Sequence, residues 1–221
     1  MRGVIALVIV VVLVLGVVML GRTGVHSNSG NSAPGGIGPV VYPVRTVLEC
    51  EEPTTLEDKL PDGTLIWLKK QQSEGTVIKY LESPDGWIDK WIDERKAERK
   101  ELKGKAGALP GKASYEFEAP RDDTYYINLR AKWLDDCGNS VWVKMDDSPY
   151  FNMEDQNGLI SEKNYKWAWH QMFLDGRPRG FQLTKGKHTL WLCTREDGPK
   201  LDQWVISTEA SLPVGGPVKK P

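Results

Sequence analysis

The chain contains 221 residues, of which 29 are Lys or Arg and 30 are Asp or Glu, so its formal net charge is −1. This balance leaves no excess of positive charge for a nucleic-acid phosphate backbone, which excludes that class of partner. The length suits one globular domain with appendages, because domains usually contain about 100–200 residues. Nine Trp residues provide large side chains that pack in a core or against a ligand.

The N-terminal segment predicts a membrane anchor. Residues 3–20 form an uninterrupted apolar run, which at about 1.5 Å per residue approaches the ~30 Å hydrocarbon thickness of a bilayer. A cleaved signal peptide has a shorter apolar region and ends at small residues, whereas Val18, Met19 and Leu20 end this run. We therefore expect residues 1–21 to be an uncleaved signal anchor, with cleavage as the alternative. Arg2 and Arg22 flank the run almost symmetrically, and a cytoplasmic N-terminus with a periplasmic or extracellular domain is the favoured orientation.

The composition then divides the rest of the chain. Residues 22–40 are rich in Gly, Ser, Asn and Pro, which predicts a flexible linker. We expect the folded domain to cover residues 41–210, and residues 211–221 to form a disordered tail of similar loop composition.

An insertion at residues 60–105 interrupts the rhythm of the domain. Trp87, Ile88, Trp91 and Ile92 have helical spacing, which predicts a helix within residues 84–103, with Asp85 near its start. Its charged second half is either a solvated surface or a docking site for a partner protein or lipid headgroups. Residues 65–68 and 76–81 are expected to add a hairpin.

Elsewhere the apolar residues alternate with polar ones, which predicts β-strands separated by polar turns. About eight strands at such spacing are typical of an all-β sandwich, and eight is the number in a jelly roll. The predicted strands are 46–51, 114–119, 124–133, 140–145, 167–174, 180–184, 188–194 and 201–208. The last two flank a polar turn at residues 195–200 that contains Asp197, Gly198 and Pro199, and we expect them to pair as a hairpin.

The region from Thr46 to Thr208 resembles the galactose-binding-like jelly rolls, specifically carbohydrate-binding modules of the family 6 and family 35 type. Four segments carry the resemblance, in this order. They are LECE at residues 48–51, TYYINLRAKW at 124–133, NSVWVKMDD at 139–147, and WAWHQM at 167–172 followed by GKHTLWLCTREDGPKLDQWVI at 186–206. The resemblance implies a non-catalytic module that binds a glycan or polysaccharide.

The resemblance also implies a structural calcium ion that ties the first strand to the last. Glu49, Glu51 and Asp202 occupy the matching positions, and carboxylate oxygens are the ligands that Ca²⁺ prefers. Glu49 and Glu51 are two residues apart in a predicted strand, so their side chains are expected on one face of the sheet. Without the resemblance, these residues would be interpreted as an exposed strand face.

The same resemblance suggests residues for a sugar site, which needs an aromatic ring and a few polar groups. Trp167 is the candidate platform, with packing against the protein as its alternative role. The expected polar neighbours are Asn164 and Tyr165 in the preceding loop and Glu196, Asp197 and Lys200 in the turn before the last strand. Family members commonly place Asn in that turn, where this chain has Asp197 and Pro199.

No catalytic motif supports an enzyme. The three His residues lack metal-binding spacing, and the Asp pairs lie in predicted turns, where Asp is favoured for its local hydrogen bonds. Cys50, Cys137 and Cys193 permit at most one internal disulfide, whose partners the sequence does not select. We therefore predict a membrane-anchored, non-catalytic carbohydrate-binding module at the cell envelope. The alternative is an accessory subunit whose jelly roll and charged helix clamp a membrane or envelope complex.

Overall fold

A computed structural model describes residues 42–74, 76–95, 98, 102, 105–154, 166–211, 213 and 215–219. The predicted anchor and linker, and Asn164 and Tyr165 of the predicted sugar site, lie outside these residues. The described part contains fourteen strands and one helix. They are β1 (Arg45–Glu49), β2 (Thr55–Leu56), β3 (Leu68–Glu74), β4 (Thr76–Glu82), α1 (Trp87–Asp93), β5 (Lys112–Ala119), β6 (Asp123–Lys132), β7 (Ser140–Met145), β8 (Phe151–Glu154), β9 (Ala168–Gln171), β10 (Phe173–Leu174), β11 (Arg177–Pro178), β12 (Gly180–Leu183), β13 (Gly186–Thr194) and β14 (Lys200–Ser207).

Two antiparallel sheets contain most of these strands. In sheet A, β6 pairs with β9 and β12 on one side and with β14 on the other, and β14 also pairs with β1 and β4. Strand β3 extends this sheet beyond β4. Sheet B has the order β2-β5-β13-β7-β8. The short strands β10 and β11 pair only with each other within the described chain.

A single main core lies between the sheets. Tyr115 of sheet B contacts Trp204 of sheet A with ring centroids 6.1 Å apart, and Phe151 of sheet B lies 6.0 Å from Phe181 of sheet A. Because alternate residues of both sheets turn toward this core, the period-two pattern of the sequence is explained. The predicted β-sandwich is confirmed.

The predicted hairpin between the last two long strands is wrong. Strand β13 pairs with β5 and β7 in sheet B, whereas β14 pairs with strands of sheet A. Leu192 and Trp204 both belong to the main core, which they enter from opposite layers. Residues 195–199 therefore cross from one sheet to the other. Alternation shows that a strand has one buried face, but it does not show which sheet the strand joins.

Other boundaries also differ from those expected. The strand predicted over residues 167–174 divides into β9, which joins sheet A, and β10, which does not. Strand β1 ends at Glu49, so Glu51 lies in the following turn rather than in the strand. The predicted extra hairpin is confirmed as β3 and β4, although its first strand begins at Leu68.

The insertion contributes a short helix that packs on the loop end of the sandwich. Helix α1 is shorter than predicted and ends at Asp93, and several residues of its expected charged half lie outside the described chain. Its buried residues Trp87, Ile88 and Ile92 join the main core. Trp87 Nε1 donates to Ser83 Oγ at 2.9 Å, which fixes the helix to the end of β4. Within the described ranges, no helix has the length and apolar character needed to cross a bilayer.

Candidate functional site

A cleft of about 590 Å³ opens between helix α1 and the crossing loop at residues 195–197. We call it the loop cleft. Its volume falls within the range of about 300–1,000 Å³ that is typical of small-ligand sites. One side is apolar and belongs to the insertion, and the other side carries an indole, a guanidinium and carboxylates. The lining residues are Ile88, Asp89, Ile92, Leu109, Asp136, Cys137, Trp142, Arg195, Glu196 and Asp197.

Trp142 provides the aromatic surface of the loop cleft. Its neighbours in β7, Val141 and Val143, are fully buried in the core, so alternation directs Trp142 to the outer face of sheet B. The indole is half-buried, and the guanidinium carbon of Arg195 lies 5.4 Å from its ring centroid. This arrangement is a cation–π contact that also steadies the ring.

Hydrogen bonds hold the two carboxylates of the crossing loop in place. Glu196 Oε2 accepts from the backbone N–H of Asn139 at 3.1 Å and from the hydroxyl of Ser140, while Arg195 bonds Glu196 Oε1 at 2.5 Å. Asp197 Oδ2 accepts from the backbone N–H of Ile88 at 3.1 Å. Burial raises the pKa of Asp197, and its hydrogen bonds from backbone N–H groups oppose that shift. The insertion and the crossing loop are thus joined directly at the cleft.

The chemistry of the loop cleft suits a ligand with both an apolar face and hydroxyl donors. The half-buried indole offers a flat apolar surface, and the carboxylates of Glu196 and Asp197 keep acceptor positions beyond those used in the protein. A pyranose ring has these two properties. The loop cleft therefore combines an aromatic surface with carboxylate acceptors, although its aromatic residue is Trp142 and not the expected Trp167.

The structure separates the predicted sugar-site residues into two groups. Glu196 and Asp197 line the loop cleft, whereas Trp167 does not. Trp167 is half-buried and packs edge-on against Tyr80, with ring centroids 5.5 Å apart. The guanidinium carbon of Arg130 lies 5.2 Å from the Trp167 ring centroid. Lys200 Nζ lies 5.8 Å from the ring centroid of Tyr80, so Lys200 and Trp167 share this neighbour.

The sequence analysis missed Trp142, although the pattern contains a signal for it. In NSVWVKM, the two valines flank an outward-facing tryptophan, and a large aromatic side chain on the solvent side of a strand is a marker of a contact surface. The analysis could not place this strand beside the crossing loop. That proximity depends on β13, which pairs Cys193 with Trp142 and leads directly into Arg195.

The three predicted calcium ligands line a second cleft, which we call the acidic cleft. Its residues include Glu49, Glu51, Glu52 and Asp202. Burial and neighbouring carboxylates raise the pKa of Glu51, and its Oε2 atom is buried without a hydrogen-bond partner in the described chain. Both observations suit a nearby cation.

Two other observations at the acidic cleft do not suit a metal centre. The Asp202 carboxylate forms a buried ion pair with Arg130, and the Glu49 carboxylate accepts from Gln203 Nε2 at 3.1 Å. Among the residues that the structure describes, no three His, Cys, Asp or Glu side chains form a group able to hold a metal ion. The donors therefore fit calcium only in part, with Glu51 as the member whose environment favours it.

No disulfide bond joins the three cysteines. All three are described, and each is free. Cys50 and Cys193 are buried, and burial raises the pKa of both thiols, to about 12 for Cys193. Cys137 is exposed beside the loop cleft.

Comparison with solved structures finds both isolated carbohydrate-binding modules and larger proteins. No protein-family model matches the chain, and no curated protein matches it by sequence. Similar solved structures include the C-terminal family 6 carbohydrate-binding module of a Zobellia galactanivorans laminarinase, with 14% identity and a TM-score of 0.45 over 75% of this chain and 100% of that one. A family 6 module of a Cellvibrio mixtus lichenase, in complex with cellotriose, has 13% identity and a TM-score of 0.44 over 75% and 98%.

A third similar structure is a larger protein. It is a Podospora anserina β-(1,4)-mannanase with a family 35 module, at 9% identity and a TM-score of 0.46. The match covers 78% of this chain, which spans only 28% of the mannanase.

Proposed function

We propose that this protein is a non-catalytic carbohydrate-binding module, held at the cell envelope by its N-terminal anchor, and that the loop cleft is its glycan site. One observation carries the proposal. The outward indole of Trp142 lies in a cleft of ligand size beside the fixed carboxylates of Glu196 and Asp197. Substantial apolar walls with a few positioned polar groups are the usual composition of a small-ligand site.

Pull-down of the detergent-solubilised full chain with insoluble polysaccharides tests the glycan site. We expect the chain to bind at least one member of a panel of β-glucan, mannan, xylan and galactan, and Trp142→Ala to weaken that binding at least tenfold, about 1.4 kcal/mol. Trp191→Ala is the matched control, because Trp191 is also half-buried on the outer face of sheet B but does not line the cleft.

The outcomes separate the competing sites. Loss of binding with Trp167→Ala and not with Trp142→Ala would move the glycan site to the Trp167, Tyr80 and Lys200 cluster. No binding to any polysaccharide, together with subunits that co-purify from native membranes, would replace the proposal with the accessory-subunit function. Release of the native protein by salt without detergent would contradict the anchor.

We also propose that calcium occupies the acidic cleft, with Glu51 as its main ligand and Glu49 and Asp202 nearby. Two observations support a calcium ion here: the pKa of Glu51 is raised, and its Oε2 atom has no hydrogen-bond partner within the described chain. We expect millimolar Ca²⁺ to raise the melting temperature relative to the protein in chelator, and Glu51→Gln to remove the difference. Glu118→Gln is the control for general surface charge, because Glu118 is exposed and does not line the acidic cleft, and equal melting with Ca²⁺ and chelator would show that the cleft holds no metal.

A further inference from the structure

The C-terminal segment lies on the outer face of sheet A. The backbone N–H of Val218 donates to Gln203 Oε1 at 2.8 Å, and Gln203 Nε2 donates to the Val218 carbonyl at 3.2 Å. Val218 belongs to the tail that the sequence analysis expects over residues 211–221. We call residues 215–219 the C-terminal strap.

Beneath the strap lies a small apolar patch that is distinct from the main core. Val47, Trp169 and Val205 form it, and the Val218 side chain packs against it. Trp204 and Ile206, the neighbours of Val205 in β14, point into the main core. Alternation therefore places the patch on the opposite face of sheet A, where only a covering segment shields it from water.

The contact with Gln203 imitates a strand pairing. A glutamine side chain has a carbonyl oxygen that accepts and an NH₂ group that donates. Gln203 therefore pairs with both the backbone N–H and the backbone carbonyl of Val218, as a residue of a neighbouring strand would. Gln203 Nε2 also donates to the Glu49 carboxylate, which fixes the orientation of the amide. Such a pair recognises the backbone of any extended segment, while the patch beneath selects an apolar side chain.

Two adjacent glycines, Gly215 and Gly216, precede the contact at Val218 and form a candidate hinge. Gly215 has φ +85°, and neither Gly215 nor Gly216 would bring an added Cβ within 4 Å of a described atom, so this hinge is not packed. Pro217 and Lys219 on either side of Val218 are exposed. Among the described residues, the Val218 side chain and its two hydrogen bonds with Gln203 hold the segment, and Pro217 lines the acidic cleft beside Gln203, which together are a small contact compared with a strand of the sheet.

The covered surface has an unused polar group. Trp169 is 6% exposed, yet its Nε1 donor has no partner in the described part of the chain. A buried indole N–H usually finds an acceptor. We propose that the outer face of sheet A around Val47, Trp169 and Gln203 is a binding surface for an extended peptide with a β-branched residue, and that the C-terminal strap occupies it as an intramolecular ligand. This proposal is independent of the glycan site.

Fluorescence anisotropy with a labelled peptide of sequence GGPVKKP, which matches residues 215–221, tests the proposal on the solubilised full chain. In Val218→Asp the strap loses the apolar side chain that packs on the patch, which leaves the surface free. The peptide should therefore bind this variant at least tenfold more tightly than the wild type. The additional change Gln203→Ala should abolish that binding, and a peptide with Asp in place of Val should not bind.

The controls distinguish release of the strap from loss of structure. Leu174→Asp introduces the same charge at an apolar residue that is 51% exposed and does not line the acidic cleft, and it should bind the peptide no better than the wild type. Hydrogen exchange at residue 218 should be slower in the wild type than in Val218→Asp, with the strands of sheet A unchanged. Equal peptide affinity in wild type and Val218→Asp, or no binding to either, would overturn the proposal.

Discussion

Replacing Arg130 with Ala is expected to lower the free energy of unfolding by about 3–5 kcal/mol, because it leaves a buried carboxylate without its partner. The side chains of Arg130 and Asp202 are only 7% and 4% exposed, and they form an ion pair between β6 and β14, the two central strands of sheet A. Burial raises the pKa of Asp202, and Arg130 opposes that shift. Without the guanidinium, the pKa of Asp202 should rise further.

Urea unfolding followed by tryptophan fluorescence measures this effect. The control is Arg45→Ala, which breaks the ion pair with Glu209, whose two side chains are 44% and 40% exposed. Exposed pairs contribute about 0–1 kcal/mol, so this variant should remain close to the wild type. The double change Arg130→Met and Asp202→Leu should recover much of the lost stability, since an apolar pair leaves no unpaired charge. A loss below 1 kcal/mol in Arg130→Ala would show that water reaches the pair.

The ion pair also shows what the sequence could not reveal. The pairing of β14 with β6 shifts register between Leu201 and Gln203, so Asp202 falls at a bulge. Leu201 and Trp204 consequently share the core face although they are three residues apart. A period-two interpretation of the last strand has no means to detect an extra residue, and therefore could not assign Asp202 to Arg130.

Local sequence patterns predicted strand bounds best where the alternation lies within a single strand. Strand β7 has the predicted bounds because its valines and methionine alternate with polar or outward residues. The family resemblance, rather than a local pattern, assigned Glu196 and Asp197 to the expected sugar site, and both residues line the loop cleft. The neighbours of Trp167 were not foreseen, since Tyr80 comes from the insertion and Arg130 from a central strand. These contacts depend on the order of strands in the sheet, which short-range periodicity does not encode.

Trp67 illustrates the same dependence on distant parts of the chain. It lies in the insertion and is 2% exposed, and its Nε1 atom donates to the carbonyl of Gly111 at 2.9 Å. Gly111 has φ +86°, and an added Cβ would lie 3.0 Å from that same Nε1 atom. The indole therefore packs directly against a glycine that joins the insertion to β5.

Trp67→Ala is accordingly expected to lower the free energy of unfolding by about 3–5 kcal/mol, because it removes a large core side chain and leaves a cavity. The Thr194 hydroxyl lies 3.3 Å from the Gly111 carbonyl but donates its one proton to the Pro110 carbonyl at 2.6 Å, so the lost Trp67 hydrogen bond adds to the packing loss. Leu109, two residues before Gly111, lines the loop cleft, and polysaccharide affinity should fall with stability. Calorimetry of Trp67→Ala beside Trp191→Ala compares a buried with a half-buried indole. Equal melting temperatures would show that the insertion is not anchored through Trp67. Unchanged polysaccharide affinity in a destabilised Trp67→Ala would show that the side of the loop cleft formed by the insertion does not contact the glycan.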